Sequence, residues 1–205
     1  MPSPADLLTD NFNDGNMDGW DRPGASATLI ETGTPESFGI AALPGGAESV
    51  GFIPKLAPNQ GLLLQPNLGQ EVGTLVPTWS LIMDILVPSG QGNWTALVQL
   101  NPNNVDDGDL FIRMGGDGTG GIGIGGNYQG SFAYDTWQRL GFTFTPNGAD
   151  TLLLSKYIEG VKVGEQTVSA ARFSLDVGAG ASLFTDEDGE TSNLYVSSVL
   201  VTEKV

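Results

Sequence analysis

The chain has 205 residues and a net charge of −16, with 30 glycines, no cysteine and no histidine. The absence of cysteine excludes a disulfide scaffold, a thiol nucleophile and a thiolate metal site. The absence of histidine excludes a Ser-His-Asp triad and a His-ligated metal. A chain this acidic is not expected to bind nucleic acid or an anionic membrane, because both require clustered Lys and Arg. The remaining chemistry is that of carboxylate, amide, hydroxyl and carbonyl oxygens.

The length suits one all-β domain, and we predict a single domain over residues 1–205. No apolar run approaches the roughly 18 residues that a membrane span needs. Residues 1–6 lack the basic and apolar segments of a signal peptide. The cysteine-free, Asp- and Gly-rich composition is typical of exported bacterial proteins and also fits many cytosolic ones. We therefore expect an extracellular or periplasmic protein whose signal peptide is not part of this sequence.

The hydrophobic pattern is that of β-strands along almost the whole chain. Residues 79–87 are apolar on both faces, which predicts a central strand covered on each side. Residues 94–100 and 139–144 alternate between apolar and polar, as in strands with one buried face. The dipeptide Asn147-Gly148 predicts a hairpin turn before a strand at 151–157. Together these features predict an all-β fold, a two-sheet antiparallel β-sandwich of roughly 12 to 14 strands.

Residues 78–205 also carry a recognisable order of elements. The apolar and Trp-bearing strands are followed by a glycine-rich stretch at 115–130, by Asp135-Thr136-Trp137-Gln138-Arg139, and by Tyr157-Ile158-Glu159-Gly160-Val161. This order resembles the laminin G-like and pentraxin-like branch of the concanavalin A-like lectin/glucanase superfamily. The resemblance implies a jelly-roll sandwich. The chain departs from that family where its usual Trp-His pair reads Trp137-Gln138.

Two further segments carry resemblances. Residues 10–20 are similar to the first strand of many exported jelly rolls of this superfamily. Residues 183–191 are similar to a segment of accessory sandwich domains in secreted bacterial phosphoesterases.

Acidic clusters make Ca²⁺ the predicted cofactor, because Ca²⁺ takes six to eight oxygen ligands and tolerates irregular loops. The first cluster supplies Asp186, Asp188 and Glu190 as metal ligands, with a solvated acidic turn as the alternative interpretation. The second supplies Asp10 and Asp14, with ordinary turn chemistry as its alternative. The resemblance implies a structural calcium where the first and last strands meet.

The same acidic run offers an alternative as a glycosidase dyad, since Asp186, Asp188 and Glu190 alternate along the chain. Retaining glucanases of the resembled superfamily place two Glu on one strand face, and their carboxyls must lie about 5 Å apart. Gly189 and the turn-like composition argue against a rigid strand here. We assign no catalytic residue from the sequence.

The glycine-rich stretch predicts a low sheet face, one from which few side chains project, on which a ligand or another chain could lie. Its Gly118, Gly120 and Gly123 match G-x-G-x-x-G only formally, because no helix follows to bind phosphate. Four neighbouring side chains form the predicted ligand-binding set: Arg113, Asn127, Tyr128 and Gln129. Three tryptophans fall at strand positions and are predicted to be buried rather than to stack on sugars: Trp79, Trp94 and Trp137.

These observations favour a non-catalytic carbohydrate-binding or adhesion module, stabilised by calcium. Its predicted partners are a glycan or polysaccharide and a neighbouring protein domain. Two alternatives remain open. One is a carboxylate-based glycoside hydrolase. The other is a structural accessory domain of a secreted (phospho)esterase or other multidomain enzyme.

Overall fold

The computed structural model describes the greater part of the chain: residues 6–15, 20–21, 31–46, 49–53, 65–66, 75–90, 94–99, 110–114, 119–176, 182–183 and 193–203. Almost all of the regular structure in these ranges is β-strand. The fold confirms the predicted all-β sandwich. No helix in the described ranges is long and apolar enough to cross a membrane.

The described strands and the one short helix follow one another along the chain in this order: β1 (Asp6–Asp10), β2 (Trp20–Asp21), β3 (Glu31–Gly33), β4 (Val50–Ile53), β5 (Gln65–Pro66), β6 (Leu75–Val76), β7 (Trp79–Leu86), β8 (Trp94–Gln99), β9 (Leu110–Met114), β10 (Gly120–Ile124), β11 (Asn127–Phe132), β12 (Gln138–Pro146), β13 (Thr151–Ile158), β14 (Val161–Ser169), α1 (Ala170–Phe173), β15 (Leu175–Asp176), β16 (Ser182–Leu183) and β17 (Leu194–Thr202).

Two antiparallel sheets dominate the molecule. The large sheet has eight strands in the order β14-β13-β12-β7-β17-β4-β3, and β1 also pairs with β17. The small sheet has five strands in the order β11-β10-β9-β8-β16. Two short ladders, β6 with β15 and β2 with β5, complete the described pairing. The central position of β7 agrees with its apolar character on both faces.

Tight turns set the register of β12, β13 and β14. Asn147 begins the turn between β12 and β13, where its N–H donates to the carbonyl of Thr151 at 2.9 Å. Glu159 and Gly160 join β13 to β14 with φ angles of 51° and 74°. Positive φ at both central residues is the geometry of a two-residue hairpin turn whose twist matches the strands. These turns hold β12, β13 and β14 as consecutive neighbours.

The main core lies between the two sheets. Ile112, Ile122 and Phe132 of the small sheet join Leu140, Phe142 and many other buried side chains of the large sheet in one cluster. The prediction that Trp79 is buried is confirmed. Its ring stacks on Phe144 with centroids 4.4 Å apart, and its Nε1 donates to the Phe173 carbonyl at 3.0 Å. The side chain of Trp94 lies outside the described part of the molecule.

A second apolar cluster lies on the opposite face of the large sheet, here called the outer face. Val50, Leu86 and Trp137 form its buried centre, and Phe38 and Leu43 are among the half-buried residues that pack against it. The burial predicted for Trp137 is therefore also confirmed. Its Nε1 donates to the carbonyl of Ala41 at 2.7 Å. The segment 34–46 thus covers one end of the outer face.

Candidate functional site

A groove of about 350 Å³ opens on the outer face, beside the segment that covers Trp137. Strands β7 and β12 and the β13–β14 turn supply its polar side. The segment 34–46 supplies its apolar rim. The lining residues are Leu43, Pro44, Asp84, Trp137, Gln138, Arg139, Glu159 and Gly160.

Asp84 and Arg139 of this groove form a hydrogen-bonded set with Ser198. Arg139 of β12 and Ser198 of β17 are both register partners of Asp84 on β7. The Arg139 guanidinium donates from Nε to Oδ1 of Asp84 at 2.8 Å and from Nη2 to Oδ2 at 2.7 Å. The Ser198 hydroxyl donates to Oδ2 at 2.7 Å. Such a two-bond Arg–carboxylate pair fixes both side chains in orientation.

The electrostatics of this set favour an ionised carboxylate. Burial by itself would raise the pKa of Asp84, but the hydrogen bonds from Arg139 and Ser198 and the Arg139 charge together hold that pKa below its ordinary value. Reciprocally, the hydrogen bond to Asp84 raises the pKa of Arg139. Asp84 is therefore a fixed negative charge at neutral pH.

Glu159 brings a second carboxylate to the groove. It occupies the left-handed first position of the β13–β14 turn. The backbone N–H of Arg139 donates to Glu159 Oε1 at 2.6 Å, and the backbone N–H of Glu159 donates to the Arg139 carbonyl at 2.8 Å. Arg139 thus lies between two carboxylates, Asp84 on one side and Glu159 on the other.

The structure separates the four predicted ligand-binding residues. Arg113 and Tyr128 meet on the face of the small sheet that points away from the core, with the guanidinium carbon 5.6 Å from the ring centroid. Asn127 is exposed at the β10–β11 hairpin. Gln129 instead pairs with the buried Ile122 and points inward. The low face predicted beside Tyr128 includes Gly121, since a Cβ there would lie 3.2 Å from the Tyr128 Cβ.

A buried lysine also lies on the inward side of the sheets, as Gln129 does. Lys156 of β13 is fully buried, and its Nζ donates to the Asn127 carbonyl at 2.9 Å and to Gln166 Oε1 at 3.0 Å. Burial lowers the pKa of Lys156 to about 8. Gln129 Oε1 is buried without a hydrogen-bond partner in the described part of the molecule. The sequence analysis missed Lys156, although it takes an inward position in the alternation with Leu154 and Ile158.

The predicted calcium ligands are only partly described. β1 and β17 do meet, with Asp10 opposite Val199, which is where the resemblance places a structural calcium. Asp10 Oδ1 accepts the Phe12 N–H at 2.8 Å, and Asp14 is exposed in the following turn. The described ranges contain no group of three or more acidic side chains able to hold a metal. These donors alone are too few for Ca²⁺, which takes six to eight oxygens.

The remaining predicted ligands, Asp186, Asp188 and Glu190, lie outside the described residues. The calcium site therefore stays a prediction.

The groove residues Asp84, Arg139 and Glu159 were not predicted from the sequence. Asp84 is the only charge in the apolar run 79–87, and Arg139 follows Trp137 in an alternating strand. An isolated charge in a central strand was the available signal for a partner on a neighbouring strand. No sequence pattern identifies that partner, because Asp84 and Arg139 are 55 residues apart.

No protein-family model and no curated protein sequence matches the chain. Solved structures do match it in fold. A carbohydrate esterase of the Shiga toxin-encoding bacteriophage phi24B aligns with a TM-score of 0.64 at 16% identity, over 98% of this chain and 99% of that chain. An endo-β-1,4-glucuronan lyase from the fungus Trichoderma reesei aligns with a TM-score of 0.58 at 12% identity, over 96% and 95%.

A GH43 glycoside hydrolase, engineered to display both endo-xylanase and exo-arabinofuranosidase activity, also aligns. Its TM-score is 0.58 at 11% identity, and the match covers 100% of this chain but 42% of that chain. At these identities the similarity concerns the fold. The neighbours named here are carbohydrate-active proteins that contain a β-sandwich of this kind.

This finding corrects the main functional prediction. A non-catalytic carbohydrate-binding or adhesion module was expected, but two solved structures that share the fold over nearly their whole length are an esterase and a lyase. The prediction rested on the strand order and on the lack of any base, and the only carboxylate pair it weighed was in the acidic run 186–190. In the structure, Asp84 and Glu159 lie on either side of Arg139, across neighbouring strands. The finding agrees better with the two alternatives, a carboxylate-based glycoside hydrolase or an accessory domain of a multidomain enzyme, than with the main prediction.

Proposed function

We propose that this chain is a carboxylate-based glycoside hydrolase that cleaves a neutral polysaccharide in the outer-face groove. The observation that carries the proposal is the placement of Asp84 and Glu159 on either side of Arg139 within one groove. Glycoside hydrolysis typically uses two carboxyl groups that flank the scissile bond. With neither histidine nor cysteine in the chain, carboxylates are the natural acid and base.

The two carboxylates take different roles because their surroundings differ. Asp84 is ionised at neutral pH, as the base that removes a proton from the attacking water must be at the start of the reaction, and we assign it that role. Glu159 is the second carboxyl of the groove, and we assign it the role of the acid that protonates the departing glycosidic oxygen. The water oxygen bonds to the anomeric carbon as the glycosidic bond breaks. The acid and base are restored by proton exchange with solvent.

The sheet geometry favours inversion of configuration at the anomeric carbon. Asp84 and Glu159 lie on opposite sides of the β12 backbone at Arg139. Two strand spacings of about 4.8 Å place their backbones about 10 Å apart. Both side chains bond to Arg139, and the proposed inversion requires their carboxyls to lie about 6.5–9.5 Å apart, with room for a water between them.

The charge distribution favours a neutral substrate. The chain carries a net charge of −16, and the groove holds two carboxylates and one guanidinium that is already bonded to Asp84. A polyanionic substrate would be repelled over distances of about 10 Å at moderate salt. A neutral sugar chain meets no such barrier.

Turnover by the purified chain tests this proposal. Release of reducing ends from mixed-linkage β-glucan and from xylan is expected, with Asp84→Asn and Glu159→Gln each reducing the rate by about 10²- to 10⁴-fold. Glu31→Gln is the matched control, because Glu31 is exposed on β3 at the far edge of the same sheet. NMR of the first product should show the inverted anomer. Absence of turnover would overturn the hydrolase, and a retained anomer would overturn the assigned roles.

Three finer predictions belong with this proposal. Assignment to the laminin G-like and pentraxin-like branch rests on the sequence pattern. Export to the periplasm or the exterior rests on composition. A glycan or polysaccharide and a neighbouring protein domain are the proposed partners.

We also propose that Ca²⁺ binds where β1 meets β17, with Asp10 and Asp14 among its ligands, and that the acidic run with Asp186, Asp188 and Glu190 supplies ligands for a Ca²⁺ site as the sequence predicts. The melting temperature should then rise by several degrees in millimolar Ca²⁺ and fall back with EGTA. Asp10→Asn should abolish the rise. A melting temperature indifferent to Ca²⁺ removes the site.

A second candidate is a structural accessory domain of a multidomain enzyme. It is favoured by the match of the whole chain to 42% of the GH43 glycoside hydrolase. The turnover assay separates the two candidates. The accessory domain predicts no turnover by this chain alone, together with a catalytic domain in its parent protein.

A further inference from the structure

The outer face of the large sheet carries two adjacent rows of opposite chemical character. The first is the charged row, formed by Ser198, Asp84, Arg139 and Glu159. The second is the apolar row, which lies two residues away on each strand. It is formed by Leu200, Ile82, Gly141 and Tyr157. Strand register places these residues side by side across β17, β7, β12 and β13. The residues of the apolar row are half-buried, so each keeps part of its surface open to solvent.

Gly141 makes the apolar row flat beside Arg139. A Cβ at Gly141 would lie 3.4 Å from the Tyr157 Cβ and 3.8 Å from its Cδ2, which is ordinary van der Waals contact. The position therefore does not require glycine for packing. Its effect is to leave the side of the Tyr157 ring uncovered at the edge of the groove.

The Tyr157 hydroxyl receives no hydrogen bond from the parts of the chain that the structure describes. An amphipathic aromatic side chain usually finds a partner for its polar end where the ring is buried. Tyr157 is half-buried and its hydroxyl is not anchored to the described part of the protein, so the exposed part of its ring is what it presents to a ligand.

We propose that Tyr157 forms a sugar-binding subsite that extends the groove along the apolar row. This inference rests on the proposed function, and the occupant is the same neutral polysaccharide. A pyranose ring has an apolar face of C–H groups and a rim of hydroxyls. The apolar row fits the former and the charged row fits the latter, as in binding sites that combine apolar surface with a few placed polar groups. The subsite is continuous with the catalytic groove through Arg139 and Gly141.

Polysaccharide binding measured apart from turnover tests the subsite. Affinity electrophoresis in native gels containing mixed-linkage β-glucan or xylan gives dissociation constants for the wild type, Tyr157→Ala and Tyr157→Phe. Loss of ring stacking should weaken binding by about threefold to tenfold in Tyr157→Ala. Tyr157→Phe keeps the ring and should bind within about twofold of the wild type. Gly141→Val adds a side chain beside the Tyr157 ring and should weaken binding to the same extent as Tyr157→Ala.

The outcomes separate this inference from the proposed hydrolysis. Weak binding by Tyr157→Ala with binding kept in Tyr157→Phe supports the subsite, whether or not the wild type shows turnover. Binding by Tyr157→Ala equal to that of the wild type overturns it even if the chain is an active hydrolase. Equal losses in both Tyr157 variants overturn stacking as its basis. A wild type that binds neither polysaccharide overturns it too. Thermal melting of each variant confirms that the fold is intact.

Discussion

Two cations on neighbouring strands of the large sheet face opposite environments. The Arg139 side chain is 60% exposed on the outer face and bonds the Asp84 carboxylate, whose side chain is 17% exposed. Lys156 lies on the inner face, fully buried, and its partners among the described residues are neutral acceptors, the Asn127 carbonyl and the Gln166 amide. The pKa values move in opposite directions: a carboxylate raises that of Arg139, and burial lowers that of Lys156 to about 8.

The difference shows that burial and the charge of the hydrogen-bond partner together decide which cation is held firmly in its charged form. A buried charge needs compensation from a partner charge, and neutral acceptors compensate only in part. Lys156 nevertheless has a structural use. It reaches from β13 to the β10–β11 hairpin, so its hydrogen bond to Asn127 joins the large sheet to the small one.

The largest expected effect on the unfolding free energy comes from reversing the charge of Lys156 and of Arg139, each in a separate variant. Lys156→Glu should cost about 4 kcal/mol of unfolding free energy or more, because a buried carboxylate would face the acceptors of Asn127 and Gln166. Arg139→Glu should cost only about 1 kcal/mol, because its side chain is largely exposed beside Asp84. Chemical denaturation at pH 7 measures both.

Arg139→Gln and Lys156→Gln are the matched neutral controls for these reversals, and each should lie between the wild type and its Glu variant. Equal losses for the two reversals would mean that Lys156 reaches solvent, and the contrast between the two faces would fail.

A smaller effect is expected from pH alone. The folded-state pKa of Lys156 is lowered to about 8 from an ordinary 10.5, so between these values the unfolded chain binds more protons than the folded one. Stability contributed by Lys156 therefore rises with pH through this window. Between pH 7 and 9.5 the unfolding free energy should increase by about 2 kcal/mol. Denaturant titrations across that range measure it.

Lys156→Met removes the titrating group while keeping the length of the side chain, so its unfolding free energy should be flat from pH 7 to 9.5. Burial raises the pKa values of Tyr134 and Tyr195, so these tyrosines reduce stability only as the pH rises through about 10. The range chosen therefore isolates Lys156. A wild-type profile as flat as that of Lys156→Met would contradict the lowered pKa.

Much of the fold was predictable from local pattern. Alternation identified the strands at 94–100 and 139–144, a run apolar on both faces identified the strand at 79–87, and Asn147-Gly148 identified the hairpin that joins β12 to β13. The burial of Trp79 and Trp137 followed from their strand positions. Local pattern succeeds here because a half-buried strand repeats every two residues.

The candidate site was not predictable in the same way. Asp84 bonds Ser198 across a separation of 114 residues. Alternation shows which residues of a single strand share a face. It shows that Arg139 and Lys156 point to opposite faces of the sheet only when the register of β12 against β13 is also known. The predicted ligand set failed to converge for the same reason, since Tyr128 and Gln129 are adjacent in sequence and face opposite sides of the small sheet.

The sequence by itself determined which chemistry is available, since a chain without histidine or cysteine must rely on oxygen ligands and carboxylates, and it determined the all-β class through its two-residue period. Only the tertiary structure decided that β7 lies between β12 and β17, which brings Asp84, Arg139 and Ser198 together and leaves Lys156 inside. The physical reason is that strand neighbours are selected by the packing of the whole core, while periodicity describes one strand at a time.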